Sequence, residues 1–271
     1  MTARYAVFGN PIHHSLSPRI HAQFARETGQ DLRYEAILAP LDGFGDCLVQ
    51  FQRKGGMGAN VTVPFKEQAY ALCTERSARA ELAGAVNTIL FDTATIRGDN
   101  TDGAGLVADL TRNLGVTLAG ARILLIGAGG AARGVIGPLL ENAPAQLMIA
   151  NRTAARAHAL ATHFSMQTGH AVTGSGLDEL GDGFDLIINA TSASLAGELP
   201  ALPAAVFTRG GLAYDMMYGQ TLTPFLQLAQ QQGARTADGL GMLVEQAAEA
   251  FYLWRGVRPD TQTVIAALHA A

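Results

Sequence analysis

Apolar and polar positions alternate in short blocks along the whole chain. Runs rich in Val, Ile and Leu separate stretches with apolar residues at helical spacing, and Gly, Pro, Asn or Asp marks most junctions. In the first half this pattern predicts strands over 4–9, 33–38 and 59–63. It predicts helices over 17–28, with Pro18 in the permitted first turn, from an Asp42 cap to 53, and from Pro64 to 72. The runs 86–91 and 95–98 read as a hairpin around Asp92-Thr93-Ala94, and Asp102 reads as the cap of a helix to 114. In the second half, strands are expected over 122–126, 146–150, 185–189, 212–215 and 235–237. Helices are expected from Pro224 to near 232, over 242–255 and over 261–268. Such alternation implies an α/β fold of mostly parallel sheets covered by helices. Two such blocks with a connector over 102–120 suggest two domains and a cleft.

Composition narrows the class. The 271 residues are 48% hydrophobic and 15% charged, enough for one large core or two smaller ones. A net charge of -4 gives no electrostatic reason to expect nucleic acid. No apolar run approaches the roughly 18 residues that span a bilayer. Cys47 and Cys73 form no CxxC or paired framework, which fits a reducing compartment. The expectation is a cytoplasmic protein with small-molecule partners, no nucleic acid and no membrane, as a monomer or homodimer.

The stretch from Ala121 to Leu140 carries the sharpest chemistry. Apolar residues 123–126 break into Gly127-Ala128-Gly129-Gly130-Ala131, followed by a helix-forming run. The first glycine permits the turn and the second lets a pyrophosphate approach the backbone. Ala132 is small where helix and strand pack closely. The next apolar run ends in Asn151-Arg152-Thr153, 24 positions after Gly127, with Arg156 one turn on. NAD-binding units carry an acid about there for the ribose 2′-OH. This chain carries arginines instead, which suit a 2′-phosphate and therefore NADP. Thr153 also reads as a helix cap, and the two readings coexist.

Four polar clusters fall at predicted strand ends. Ser15 and Ser17 in GNPIHHSLSP stand where hydroxyls and helix N–H groups can hold a carboxylate, though plain capping by Ser17 is the favoured reading from these residues alone. His13, His14 and His21 lack metal-ligand partners at sensible spacing, so no metal is expected. In NVTVPFK, Asn60 and Thr62 share one face of a strand. Lys66 enters the first turn of a helix, where a cation opposes the dipole unless something compensates it. Asn87 in GAVNT, and Asn100 and Asp102 in GDNTDGAG, complete a set of amides and hydroxyls with one Lys and one Asp. That donor set suits a polyhydroxylated small molecule.

Taken in order, GNPIHHSLSP, NVTVPFK, GAVNT, GDNTDGAG, GAGGAAR, NRT, NATS, DMMY and GLGMLVEQ resemble the shikimate dehydrogenase family over nearly the whole chain. The resemblance implies reversible, NADPH-dependent reduction of 3-dehydroshikimate to shikimate in aromatic biosynthesis. It implies a discontinuous substrate domain over 1–101 and 238–271, with a C-terminal helix returning to it, and a Rossmann-type NADP domain over 102–237. By position, Ser15 and Ser17 would hold the substrate carboxylate. Asn60, Thr62, Asn87 and Asp102 would hold ring hydroxyls with help from Gln246, Tyr218 would lie near the substrate, and Lys66 with Asp102 would form the catalytic pair. Gly127, Ala128, Gly129, Gly130 and Ala131 would contact the pyrophosphate, and Asn151, Arg152, Thr153 and Arg156 the 2′-phosphate end. Thr191, Met216, Gly239 and Met242 would lie toward the nicotinamide, although core packing is the plainer reading of the methionines. Gly239-Leu240-Gly241 is placed to form a hinge. The chain departs from the family at Ala22, where many members have Asn, and at Ala193-Ser194-Leu195, where a glycine is common. The alternatives are a quinate/shikimate dehydrogenase that uses NAD, a non-catalytic NADP- or shikimate-binding regulator, and a dehydrogenase for an amino-substituted shikimate. The missing acid near Asn151 argues against the first. The presence of both Lys66 and Asp102 argues against the second.

Overall fold

The computed structural model describes residues 2–92, 95–191, 201–219 and 221–270. The chain divides into two units, Met1–Gly105 with Leu243–Ala271, and Leu106–Met242.

In the first unit, β1 (Ala3–Gly9) is buried along nearly its whole length, as a strand covered on both faces must be. It pairs in parallel with β2 (Leu32–Leu38) on one side and β3 (Gly56–Val61) on the other. Antiparallel β5 (Thr88–Phe91) and β6 (Ile96–Asp99) follow, and the two-residue β4 (Glu75–Arg76) closes the order β2-β1-β3-β5-β6-β4. The helices α1 (Ser17–Thr28), α2 (Phe44–Arg53), α3 (Lys66–Leu72) and α4 (Ala78–Ala83) connect them. The chain leaves β1 toward β2 and returns on the far side as β3. That is a topological switch, with a crevice beyond the carboxyl ends of β1 and β3. The last helices, α9 (Leu240–Arg255) and α10 (Gln262–His269), contribute Val244, Phe251 and Val264 to a core with Ile20 and Phe24 of α1. Arg79 of α4 donates to both oxygens of Asp99 and to Glu249 of α9. Burial works against the Asp99 charge, but the Arg79 hydrogen bonds and charge outweigh it and hold the carboxyl below its ordinary range.

The second unit is an all-parallel sheet of order β12-β11-β10-β7-β8-β9. Its strands are β7 (Arg122–Ile126), β8 (Gln146–Ala150), β9 (Val172–Ser175), β10 (Phe184–Asn189), β11 (Phe207–Asp215) and β12 (Arg235–Asp238). The intervening helices are α6 (Gly130–Leu140), α7 (Ala154–Thr168) and α8 (Pro224–Gln231). After β9 the chain crosses back to β10 on the other side of β7, which puts the switch point between β7 and β10. The preceding helix α5 (Asp102–Ala108) passes into a π-helical turn, Asp109–Asn113.

Several local expectations change. Gly43, not Asp42, stands at the cap of α2, and no side chain bonds there. The third strand ends at Val61, so Thr62 lies beyond it and shares no strand face with Asn60; Pro64 removes the donor that further pairing would need. The third helix begins at Lys66, after Phe65. Leu16 takes the cap position expected of Ser17, which is the first helical residue. Leu240 and Gly241 lie inside α9, so only Gly239 of the expected hinge is outside regular structure. The short elements β4, α4 and β9 carry too little periodicity to be read from the chain. Residues 93–94 of the hairpin turn and the 193–195 departure lie outside the described residues.

His21 of α1 is fully buried, and neither ring nitrogen has a hydrogen-bond partner. Its ring stacks on Tyr34 with centroids 4.1 Å apart and planes 8° from parallel. Burial lowers its pKa to about 3, and the weaker pull of the Asn60 carboxamide raises it only in part. From pH 6.5 down toward 3, the unfolded chain therefore binds a proton that the folded chain refuses. Stability falls with pH by up to about 1.4 kcal/mol per pH unit in that window. Replacing His21 by Phe keeps the stack and removes the titration. Calorimetric Tm values at pH 7.5 and 5.0 should show a smaller acid loss for His21→Phe than for wild type; equal losses would assign the acid sensitivity elsewhere.

Candidate active site

At the start of α3, Lys66 opposes the helix dipole, and the acidic Glu67 in the same turn forms no ion pair with it. The compensation is tertiary: its Nζ donates to Asp102 Oδ2 at 2.5 Å, with both side chains largely buried. Asp102 is the first residue of α5 rather than its cap. Asn100 does the capping, since its Oδ1 accepts from the Asp102 backbone N–H at 3.2 Å. The Asp102 carboxylate is therefore left for other partners. Its Oδ1 accepts from Asn87 Nδ2 at 2.7 Å. Asn87 sits one residue before β5. Its Oδ1 accepts from the Thr101 backbone N–H and from the Thr88 hydroxyl, each at 2.8 Å.

Asn60, near the end of β3, donates from Nδ2 to Asn87 O at 3.2 Å and to Thr88 Oγ1 at 3.1 Å. Gln246 enters from α9. Its Oε1 lies 3.4 Å from Asn87 Nδ2, while its own amide nitrogen donates to Leu243 O. Gly105 lets α5 pass against it, because a Cβ there would stand 2.6 Å from the Gln246 Cβ. The structure thus joins five expected residues, Lys66, Asp102, Asn87, Asn60 and Gln246, into one buried network. Thr88 and Thr101 belong to it as well. Sequence reasoning missed both, although they adjoin Asn87 and Asp102 in the chain.

Ser15 and Ser17 follow β1 and belong to the same unit. The Ser15 hydroxyl accepts from the Ser17 N–H at 3.3 Å. Thr62 borders this loop: a Cβ on Gly9 would lie 2.5 Å from its methyl group, and the Thr62 N–H donates to Phe8 O. Thr62 lies past the last residue of β3, at the carboxyl end of the sheet beside the switch.

In the second unit, Gly127 follows β7 with φ of +116°. A Cβ there would meet the Thr191 methyl at 3.2 Å and the Ala190 backbone at 3.3 Å. Gly129 precedes α6, no side chain caps that helix, and a Cβ on Gly129 would meet nothing within 4 Å. Ala128, Gly130 and Ala131 complete this turn and first helical residues. Free helix N–H groups beside open space suit a phosphate. Asn151 bonds the Thr153 carbonyl through its side chain, and Thr153 stands at the α7 cap position without a side-chain cap bond. Arg152 and Arg156 are exposed, and neither forms an ion pair among the described residues. Two uncommitted guanidinium groups beyond β8 fit a dianionic phosphate. Across the switch, Thr191 donates its N–H and hydroxyl to Asn189 Oδ1 at 3.1 and 2.7 Å. Buried Asp215 accepts from Asn189 Nδ2, the Met217 N–H and the Thr223 hydroxyl. These two residues shape the loops carrying Thr191 and Met216, and sequence reasoning missed them because their role is tertiary. Gly239 is required where it stands, since a Cβ would lie 2.3 Å from Met216 O. Met216 and Met242 are buried, and Tyr218 is half-buried in this unit.

Among the described residues, no group of three His, Cys, Asp or Glu is arranged to hold a metal ion. No helix among them is long and apolar enough to cross a membrane.

The doubly wound second sheet, with its glycine turn at the switch point, defines a dinucleotide-binding class of α/β protein. Comparison with known proteins defines the family. The family model for the shikimate dehydrogenase substrate binding domain matches residues 7–89. That for shikimate / quinate 5-dehydrogenase matches 109–197, and that for the shikimate 5′-dehydrogenase C-terminal domain matches 239–269. A shikimate dehydrogenase (NADP(+)) of Dechloromonas aromatica (strain RCB) is 62% identical over 271 residues, covering 100% of this chain and 98% of the relative. A crystal structure of shikimate 5-dehydrogenase from Thermus thermophilus in complex with NADP(H) and shikimate superposes with a TM-score of 0.88, at 36% identity over 99% of each chain. The ligand-free 5-ketofructose reductase of Gluconobacter sp. strain CHM43 gives a TM-score of 0.87 at 28% identity, covering 100% of this chain and 99% of that one. This chain belongs to the shikimate dehydrogenase family.

The two glycines of the turn differ in what they protect. Gly127→Ala should lower Tm, because the backbone strain and the contacts with Ala190 and Thr191 cost about 1–3 kcal/mol. Gly129→Ala should leave Tm nearly unchanged yet weaken NADP binding, since its methyl group would occupy only the open space before α6. Thermal melts with and without NADP separate the two cases; equal Tm losses in the two variants would refute the distinction.

Proposed function

We propose that this chain catalyses the reversible NADP-dependent conversion of 3-dehydroshikimate to shikimate, acting in the cytoplasm as a monomer or homodimer. The observation that carries this reading is the buried Lys66–Asp102 pair, set in a network of amides and hydroxyls suited to a polyhydroxylated substrate. Ser15 and Ser17 bind the carboxylate in this proposal. Asn60, Thr62, Asn87 and Gln246 bind hydroxyls, and Tyr218 is a further substrate ligand. Fold alone leaves the substrate open, as the ketose-reducing relative illustrates.

Reducing a ketone to an alcohol adds a hydride to carbon and a proton to oxygen. Bound NADPH supplies the hydride. Lys66 Nζ gives its proton to the carbonyl oxygen as the C–O double bond becomes single, and it is later reprotonated from solvent. In the oxidative direction the neutral amine takes the hydroxyl proton. Asp102 keeps the ammonium in place and balances its charge, and Asn87 keeps Asp102 in place. Gly127, Ala128, Gly129, Gly130 and Ala131 form the pyrophosphate seat. Asn151, Arg152, Thr153 and Arg156 bind the 2′-phosphate end, and Thr191, Met216, Gly239 and Met242 line the nicotinamide end.

Initial rates at 340 nm, with shikimate or quinate crossed against NADP or NAD, test the reading. Turnover should be confined largely to shikimate with NADP; comparable rates with quinate or NAD would place the chain in a broader-specificity class. Lys66→Ala should lower kcat by about 10²–10⁴-fold while the KM for shikimate stays within a few-fold, and a near-normal kcat would remove Lys66 from the proton transfer. Arg152→Ala with Arg156→Ala should raise the KM for NADP at least tenfold and leave that for NAD nearly unchanged, because only NADP carries the 2′-phosphate.

A further inference from the structure

One residue outside the expected site touches two of its members. Tyr34 lies on β2 with its side chain buried. The hydroxyl donates to Asn60 Oδ1 at 2.8 Å. The Ser17 hydroxyl reaches the same phenol oxygen from α1. His21 is four residues further along α1 and therefore on the same face. Its ring covers the Tyr34 ring in a near-parallel stack. Helix α1 thus holds the phenol ring by its face.

The hydrogen-bond inventory of Asn60 gives this arrangement its chemical meaning. Asn87 O is a backbone carbonyl and can only accept, so the group facing it must be the Asn60 amide nitrogen. Both protons of that nitrogen are engaged, by Asn87 O and Thr88 Oγ1. A carboxamide oxygen has two lone pairs, and Tyr34 occupies one of them. The His21 ring lies nearby but makes no hydrogen bond, so Asn60 can still offer a single acceptor position, which suits a ligand hydroxyl that donates. From there a directional chain runs on: Asn60 Nδ2 donates to Thr88 Oγ1, Thr88 donates to Asn87 Oδ1, and Asn87 Nδ2 donates to Asp102 Oδ1, the carboxylate paired with Lys66. Reversing any member would set two donors or two acceptors face to face, so the direction fixed by the Asn87 carbonyl and the Asp102 carboxylate holds along the chain, and Tyr34 meets it as a donor.

We propose that Tyr34 is a positioning residue for the substrate site, fixing Asn60 as a one-position acceptor for a substrate hydroxyl and heading the hydrogen-bond chain that ends on Asp102. This rests on the reading of Asn60 as a substrate ligand. Tyr34 does not touch substrate; its effect passes through Asn60. The His21 stack fixes the ring, and Asn60 Oδ1 takes the phenol proton.

The test is a double-mutant cycle with Tyr34→Phe and Asn60→Ala, measuring KM for shikimate, KM for NADP, kcat and Tm. Phe keeps the ring on His21 and deletes only the hydroxyl. The loss of one positioning hydrogen bond should raise the KM for shikimate about 5-fold, with the KM for NADP unchanged and kcat reduced less than the KM rises. In the Asn60→Ala background the same substitution should change the KM for shikimate less than about 2-fold, because the group it positions is gone. A merely structural role would instead lower Tm and add its full effect in both backgrounds. An unchanged shikimate KM in Tyr34→Phe, or equal effects in the two backgrounds, overturns the positioning role while leaving the dehydrogenase reading intact. An Asn60→Ala variant with unchanged shikimate KM overturns both the positioning role and the substrate assignment of Asn60. Absence of shikimate turnover in the wild-type protein overturns the functional reading itself, and this proposal with it. Should Tyr34→Phe fail to fold, site-specific fluorotyrosine at position 34 keeps the ring and strengthens the donor. It must then shift the shikimate KM in the wild-type background and not in Asn60→Ala.

Discussion

The buried ion pair between Lys66 and Asp102 is the constraint around which the first unit is arranged. Two opposite charges removed from water tolerate each other only when the geometry is good and the remaining lone pairs are satisfied; losing one partner leaves the other uncompensated, at a cost of about 3–5 kcal/mol. Each element nearby serves that requirement. The start of α3 brings the lysine, and the start of α5 brings the aspartate. Asn100 takes over the capping duty that would otherwise consume the carboxylate, and Asn87 satisfies the second carboxylate oxygen. A lysine at a helix start is unfavourable by itself. Here that local misfit is resolved by a partner 36 residues away in the chain.

Both units reach their sites by the same topological route. In each, the chain builds outward from a central strand and then crosses to the other side, so that two loops part at the carboxyl ends of neighbouring parallel strands. In each, a glycine stands at or just past the end of the first of those strands and a threonine follows the second. A Cβ on Gly9 would strike the Thr62 methyl, and one on Gly127 would strike that of Thr191. The reason differs in detail. Gly9 is needed for space, whereas Gly127 is needed for space and for a positive φ. The close approach brings the polar side chains of both loops to one place while the strands beneath stay apolar.

Several buried polar groups in this protein are satisfied by side chains from other elements. Asp215 gathers the loops after β10 and β11, and Arg79 joins α4, β6 and α9 through Asp99 and Glu249. Among the described residues His21 and the Thr208 hydroxyl are exceptions, and His21 gains ring stacking in place of hydrogen bonds. Its burial holds it neutral, and Tyr34, the ring that covers it, carries the polar contact onward to Asn60.

The sequence by itself determined the strand–helix alternation, the glycine turn after β7 and the residue types of the site, because these depend on local periodicity, on backbone freedom and on side-chain chemistry. The motifs bearing Lys66, Asn87 and Asp102 were legible as polar clusters at strand ends. Whether Asp102 capped a helix or met a cation was not, because one aspartate at a helix start fits both roles; only the position of Asn100 decided it. The end of β3 before Thr62 and the cap positions before α1 and α2 also escaped, since they turn on one or two residues of backbone geometry. Thr88, Asn189 and Asp215 stood inside the motifs but with no sign of their roles, and Tyr34 carried no local signal, because its partner Asn60 is 26 residues away. Tertiary structure decided those roles, because a hydrogen bond depends on where donor and acceptor meet and on what else each has already bound.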